Sequence, residues 1–225
     1  MRNIEWIDLK TKAYQESWEL QATLLEKVRS QKKQGIPTDQ YLLFVEHPHV
    51  YTLGKSGHEE NMLINTIQLQ AAHAEFIKVD RGGDITYHGP GQLVVYPIFD
   101  LEAFQLGVKE YVYKLEDVVI NTIGAYGIKG ERLEGATGVW IETGTPLARK
   151  ICAIGVKCSN YITMHGFALN INTNLDYFNY INPCGFKDKG VTSMEKELGR
   201  ELPVEEVKQK VLEEFVRILD ASVKL

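Results

Sequence analysis

The stretch Lys150-Ile-Cys-Ala-Ile-Gly-Val-Lys-Cys-Ser-Asn-Tyr-Ile-Thr-Met-His-Gly-Phe-Ala-Leu-Asn-Ile171 decides the fold. Lys150–Ile154 and Gly166–Ile171 are short apolar runs, and Val139-Trp-Ile141 is a third just upstream. Gly144-Thr-Pro146 and Ser159-Asn160 punctuate them as turns. The pattern predicts consecutive antiparallel strands. Outward from this region, Tyr41–Val45, Ile77–Val79 and Leu93–Phe99 read as further strands. Pro97 has no N–H to give a ladder, so it is expected at an edge or a bulge. Helices are predicted where apolar residues recur at three-four spacing. They cover Tyr14 to Val28, about Thr66 to Ala74, Val108 to a stop near Gly127, and Val204 to Ile218 after Pro203. Helices do not alternate strictly with strands. The reading is α+β: a mixed, mostly antiparallel sheet packed by a few helices, in one domain over residues 1–225.

Composition narrows the function classes. The chain has 225 residues, 44% hydrophobic and 24% charged, which excludes collagen-like and disordered chains. Its net charge of -5 argues against a protein that lives on nucleic-acid phosphates. No apolar run approaches the ~20 residues needed to span a bilayer, and Arg2, Glu5 and Asp8 interrupt any signal-peptide core. The expectation is a soluble cytoplasmic protein with no membrane or nucleic-acid partner. Cys152, Cys158 and Cys184 are too few for a disulfide framework and fit a reducing compartment.

The densest polar feature is Arg81-Gly-Gly-Asp-Ile-Thr-Tyr-His-Gly-Pro-Gly-Gln92. Its glycines allow close backbone approach, and its polar crowding points to a ligand-lining loop rather than a plain turn. Asn182-Pro-Cys184-Gly185 holds a cysteine between a fixed and a freed backbone position, a geometry that can expose sulfur. Cys152 lies inside an apolar strand and reads as a small buried hydrophobe, and Cys158 as a bystander. Cys184 is therefore the candidate nucleophile, with His88, His165 or a nearby lysine as the group that handles its proton. Lys150 opens an otherwise apolar stretch and is one such lysine. Gly54-Lys55-Ser56 lacks the upstream glycine of a phosphate-binding loop, because His49 stands there. His47-Pro-His49 has no companion with metal-ligand spacing, so no metal is expected.

Taken together, Glu46-His-Pro-x-Val-Tyr-Thr52, Arg81-Gly-Gly-x-x-Thr-Tyr-His-Gly-Pro-Gly-Gln92, Lys150-Ile-x-x-Ile-Gly155, His165-Gly-x-Ala-Leu-Asn170 and Asn182-Pro-Cys-Gly185 closely resemble the lipoyl(octanoyl) transferases. The resemblance is strongest over residues 41–194. It implies the biotin/lipoate protein ligase fold and transfer of octanoyl from acyl carrier protein to a lysine of a lipoyl domain. The implied acceptors are the acyltransferase subunits of 2-oxoacid dehydrogenases and the glycine-cleavage H protein. It further implies that Cys184 carries the acyl thioester, that Lys150 activates it, and that no cofactor is needed. Arg81, Gly82, Gly83, Asp84, Ile85, Thr86, Tyr87 and His88, with Ala153, Ile154, Gly155, Gly166, Phe167 and Ala168, match the family's substrate-contacting segments. His165 is a candidate supporting residue.

Three rival readings carry different chemistry: an ATP-dependent ligase on the same fold, a cysteine hydrolase, and a non-catalytic lipoyl-domain binder. An acidic carrier docking on an acidic chain would need a local basic patch. Lys55, Arg81, Arg149, Lys157, Lys187 and Lys189 are its candidate members.

Overall fold

The computed structural model describes residues 2–182 and 189–224. The chain runs β1 (Arg2–Thr11), α1 (Tyr14–Lys33), β2 (Tyr41–Glu46), β3 (Val50–Leu53), α2 (Thr66–Ala71), β4 (Glu75–Lys78), β5 (Ile85–His88) and β6 (Gln92–Ile98). It continues with α3 (Val108–Gly124), β7 (Glu131–Leu133), β8 (Ala136–Ile141), β9 (Arg149–Ser159), β10 (Ile162–Asn170), β11 (Gly190–Val191), α4 (Met194–Leu198), α5 (Val204–Leu219) and β12 (Ala221–Lys224).

Among the described residues these strands form a large sheet in the order β12-β1-β2-β6-β10-β9-β8-β7, with β11 also on β9, and a small sheet β4-β3-β5. The large sheet is mixed. Its centre, β2-β6-β10-β9-β8, is antiparallel, whereas β1 pairs in parallel with both β2 and β12. The α+β reading holds, and the three strands foreseen around Lys150–Ile171 are β8, β9 and β10.

The large sheet is covered on both faces, so β2 reads as a continuous apolar run. Alternation sends Leu42 and Phe44 to the face packed by α3 and α5, where Tyr111, Leu115, Val118, Val211 and Phe215 meet them. Leu43 and Val45 go to the face covered by α1 through Tyr14, Leu25 and Val28. The small sheet has its own core of Tyr51, Leu53, Ile85, Tyr87 and Ile181.

Three findings depart from the sequence reading. β1 and β12 carry no clear apolar alternation, yet β1 joins the sheet and Asp8 meets the buried Lys208 of α5 at 3.2 Å. Parallel pairing between the two ends of the chain leaves no local signal. The small sheet was not separated from the large one. Pro97 sits in an interior strand, opposite Leu42, rather than at an edge. On the β10 side, side chains replace its missing ladder: the Thr163 hydroxyl donates to Pro97 O at 2.8 Å and accepts Phe99 N–H at 3.0 Å. Opposite, His165 takes a positive φ of 61° and its N–H donates to Gln21 Oε1 of α1 at 2.9 Å.

Phe215 is fully buried and stacks on Phe167 with ring centroids 6.1 Å apart. Phe215→Ala should cost about 3–5 kcal/mol of unfolding free energy in urea titration. A loss near zero would mean that α5 does not support the sheet beneath the candidate site.

Candidate active site

A cavity of about 580 Å³ opens between β6, β9 and β10 of the large sheet and the segment running from Arg81 into β5. That volume lies within the ~300–1,000 Å³ typical of small-molecule pockets. Its wall includes Arg81, Gly82, Gly83, Asp84, Ile85, Thr86 and His88 from the glycine-rich segment. Ala153, Ile154 and Gly155 of β9 and His165, Gly166, Phe167 and Ala168 of β10 face them, and Lys150 lies on the same wall. Cys184 is outside the described residues, but Lys189 and Gly190, which follow its segment, line the cavity.

Tyr87 is the exception among the residues singled out from the sequence. Alternation along β5 turns Thr86 and His88 to the cavity and Tyr87 to the small-sheet core. There its hydroxyl meets His49 Nδ1 at 2.7 Å and its ring stacks on Tyr177, centroids 4.9 Å apart. Sequence reasoning also missed Tyr14, Tyr96 and Trp140, which complete the wall. An amphipathic helix and two apolar strands gave no sign that those aromatic rings face a void.

Close backbone contact holds the two walls together. Gly82 N–H donates to Val156 O at 3.0 Å. A Cβ at Gly155 would stand 2.8 Å from Gly82 O and 3.2 Å from Arg81 Cδ, so only glycine fits. Gly83 has a φ of +86°, a conformation that L side chains adopt at a cost. The Gly54-Lys55-Ser56 turn clasps the same segment: its three N–H groups donate to the carbonyls of Asp84, Arg81 and Gly83 at 3.0–3.3 Å. Those amides are spent on the chain and do not cradle a phosphate.

A buried line of hydrogen bonds crosses the cavity floor. Arg81 Nη2 donates to Thr52 O at 2.7 Å and to Thr52 Oγ1 at 2.8 Å. Thr52 Oγ1 lies 3.4 Å from His88 Nε2, and His88 Nδ1 lies 2.8 Å from Gln92 Oε1. Gln92 Nε2 donates to Asn170 Oδ1 at 2.8 Å, Asn170 Nδ2 to Thr192 O at 3.0 Å, and Thr192 N to Lys150 O at 2.9 Å. The amide orientation assigns the His88 proton to Nδ1.

Burial disfavours the charged form of His47, His88 and His165. Burial pushes His88 well below its ordinary value and His47 down to about 4. His47 bridges Lys12 O and the Tyr96 hydroxyl at 2.7 and 2.8 Å. His165 is lowered by burial although its Nε2 faces Asp80 Oδ1 at 2.9 Å. Asp80, bonded to His165 and Lys157, is held well below the carboxylate range. Cys152 behaves as the sequence suggested: it is fully buried and its thiol is pushed up by desolvation. Cys158 is half-buried and is raised for the same reason. Among the described residues, no three His, Cys, Asp or Glu side chains gather as metal ligands would, and no helix is long and apolar enough to cross a membrane.

The basic patch foreseen for docking is largely committed elsewhere. Arg81 is buried in the wall, Arg149 makes a two-pronged pair with Glu197 at 2.7 and 2.6 Å, and Lys157 is bound to Asp80. Lys187 lies outside the described residues. Lys55 is exposed, and Lys189 stands at the cavity.

Two measurements test this geometry. Unfolded His47 takes up a proton below about 6.5, whereas the folded residue resists until about 4. The unfolded state therefore binds more protons in that window, and stability falls with falling pH by about 1.4 kcal/mol per pH unit for each such histidine. Urea midpoints from pH 7 to 4 should drop accordingly, and His47→Gln should flatten the slope whatever its absolute stability. An unchanged slope would place a charged histidine in the fold. Gly155→Ala should cost about 1–3 kcal/mol and lower ligand uptake by the cavity, read by denaturation and by octanoate-dependent thermal shift.

Comparison with known proteins agrees with this geometry. Residues 13–216 match the lipoyl protein ligase A/B catalytic domain. The octanoyltransferase of Bacteroides thetaiotaomicron is 56% identical over 214 residues, covering 95% of this chain and 94% of its own. That of Flavobacterium johnsoniae is 50% identical over 229 residues, covering 99% of both. Among solved structures, the bipartite lipoate protein ligase of Thermoplasma acidophilum superposes with a TM-score of 0.73, at 15% identity, over all of this chain and 86% of its own. Lipoate-protein ligase A bound with ATP gives 0.71 at 13% identity, over all of this chain and 88% of its own. These structural likenesses concern the fold alone. The sequence relationships go further, and the chain belongs to the lipoyl protein ligase A/B catalytic-domain family, among its octanoyltransferases, which are acyltransferases of protein lipoylation.

Proposed function

We propose that the chain, acting as one catalytic domain in the cytoplasm, takes octanoyl from octanoyl-acyl carrier protein and delivers it to the target lysine of lipoyl domains through a thioester on Cys184. Acyltransferase subunits of 2-oxoacid dehydrogenases and the glycine-cleavage H protein are the acceptors in this reading. One observation carries it: a largely apolar-walled cavity onto which motifs from separate chain segments converge, with the Lys150 amine on its wall.

The first half-reaction begins with the Cys184 thiolate attacking the donor thioester carbonyl. A tetrahedral oxyanion forms, and collapse expels the carrier's thiolate, which takes its proton from Lys150 and leaves that amine neutral for the second half-reaction. Charged Lys150 stabilises the attacking thiolate. In the second half-reaction the neutral amine of the acceptor lysine attacks octanoyl-Cys184, Lys150 accepts its proton, and an amide forms as the cysteine sulfur leaves. Thioester-to-thioester exchange is nearly balanced and thioester-to-amide transfer is downhill, so the reading requires no ATP.

The cavity supports a direction for the acyl chain. From Lys150 to Val156, which pairs with His165, β9 advances six residues, roughly 20 Å at ~3.3 Å per residue, more than an extended octanoyl chain can span. An acyl tail laid along β9 and β10 toward His165 would gain about 0.8 kcal/mol per buried methylene. Neutral His88 and His165 let it pass without desolvating a charge.

Incubation with octanoyl-acyl carrier protein in the absence of ATP should give an octanoyl adduct by intact mass. Hydroxylamine should remove the adduct, and Cys184→Ala should abolish it. A wild-type protein that stays unmodified, and labels a lipoyl domain only with free octanoate and ATP, would overturn the reading in favour of a ligase. Lys150→Met should slow both half-reactions at least 100-fold, and unchanged rates would remove Lys150 from the mechanism.

A further inference from the structure

Lys150 reaches the cavity because the strand that carries it is irregular. Along β8 and β9 the register jumps: Val139 pairs with Cys152, but the next residue, Trp140, pairs with Lys150. Ile151 is the extra residue, a β-bulge. The core shows the consequence. Ile151 and Cys152 are neighbours in sequence, yet both are completely buried in the same cluster beneath α3 and α5. A regular strand would send one of them to each face. The bulge puts both on one side, and Lys150 then stands directly across from Trp140.

That pairing brings charge and ring together. Lys150 Nζ lies 4.6 Å from the centre of the Trp140 ring, within the ~6 Å range of a cation–π contact. Other features fix the ring. Trp140 is buried, and its Nε1–H donates to Ala136 O at 2.9 Å, so its plane cannot swing. On the other flank Gly138 takes a φ of +124°, and a Cβ there would stand 2.5 Å from Cys152 O, so the glycine belongs to the bulge itself, with Lys150 Cε in ordinary contact at 3.5 Å. Both Trp140 and Lys150 line the cavity, so the indole holds the amine at the wall rather than in bulk solvent.

We propose that Trp140 is a positioning residue, whose indole face seats the Lys150 ammonium and aims it along the cavity wall in the state that stabilises the attacking thiolate. This rests on the role given to Lys150 above. In the scheme Trp140 acts through the lysine. The seat suits both half-reactions. A charged amine is held over the ring while the thiolate attacks. When the amine is neutral, the attraction of the ring falls, and Nζ is released to accept the proton of the acceptor lysine.

The test is a double-mutant cycle in the full chain, with octanoyl-acyl carrier protein as donor and a lipoyl domain as acceptor. Trp140→Leu should lower kcat about 10-fold with the donor KM little changed, and Trp140→Phe, which keeps an aromatic face, should recover most of the loss. In a Lys150→Met background, Trp140→Leu should lower the residual rate of Cys184 alkylation by iodoacetamide no further, because the two act as one unit. A spectroscopic readout stands apart from activity. In protein labelled with 13C-lysine, the Lys150 ε-methylene should resonate upfield from ring current and lose that shift in Trp140→Phe and Trp140→Leu to different degrees. Equal losses with and without Lys150, or equal rates in folded Leu and Phe variants, would overturn the proposal. So would an unshifted Lys150 resonance in the wild type, even if the leucine variant fails to fold. If Lys150→Met alone transferred octanoyl at the wild-type rate, the reading of Lys150 would fall and this inference with it. A slow Lys150→Met without coupling to Trp140 would sink only the inference.

Discussion

The line of buried hydrogen bonds from Arg81 through Thr52, His88, Gln92 and Asn170 to Thr192 is the constraint on which the site depends. A buried amide or imidazole left without a partner costs several kcal/mol, so such a chain is tolerated only when each member satisfies the next. Its consequence is geometric. One end fixes the glycine-rich segment above the cavity, and the other ends at the carbonyl of Lys150. The same set of bonds therefore sets the distance between the two walls and the height of the strand that carries the amine. Charge is absent from its middle, because burial keeps His88 neutral.

Around that line the sheet performs two separate tasks. The face packed by α3 and α5 is an ordinary apolar core that supplies stability. The opposite face is shared between α1, which closes a second core, and the small sheet, which stands off far enough to leave a cavity. The gap is kept open by rigid rings and kept narrow by the contact of Gly82 with β9. A chamber with largely apolar walls, neutral histidines and the Lys150 amine on its wall suits an acyl chain with a reactive carbonyl at one end.

Much of this was legible in the sequence, for identifiable reasons. Elements whose signal is local were readable: the three-four spacing of α1, α3 and α5, and the apolar runs of β2, β6, β9 and β10. Elements made by distant pairing were not. β1 carries Asp8, which meets Lys10 within the strand and Lys208 only when α5 brings that lysine across, and β12 adds a strand that no local pattern announces. Among site residues, polar crowding around glycine was a sound guide to the wall, but it swept in Tyr87, which alternation turns away. Tyr14 and Tyr96 face the void from elements that read as plain core. Trp140 escaped for a subtler reason: its meeting with Lys150 depends on one bulged residue, and a bulge shifts register without any change in composition. Cys184, the residue most exposed to sequence reasoning, rests on its motif alone.

The central claim is that the cavity is the acyl site and that the chain runs from the amine of Lys150 toward His165. A photoreactive probe measures this directly. An octanoyl thioester with a diazirine at its terminal carbons would be loaded onto the enzyme, irradiated, and mapped by peptide mass spectrometry. The account predicts crosslinks partway along the cavity wall, on Ala153, Ala168, Val94 or His88. Crosslinks confined to the opposite face of the sheet, on Phe215 or the α3 residues around Leu115, would contradict it.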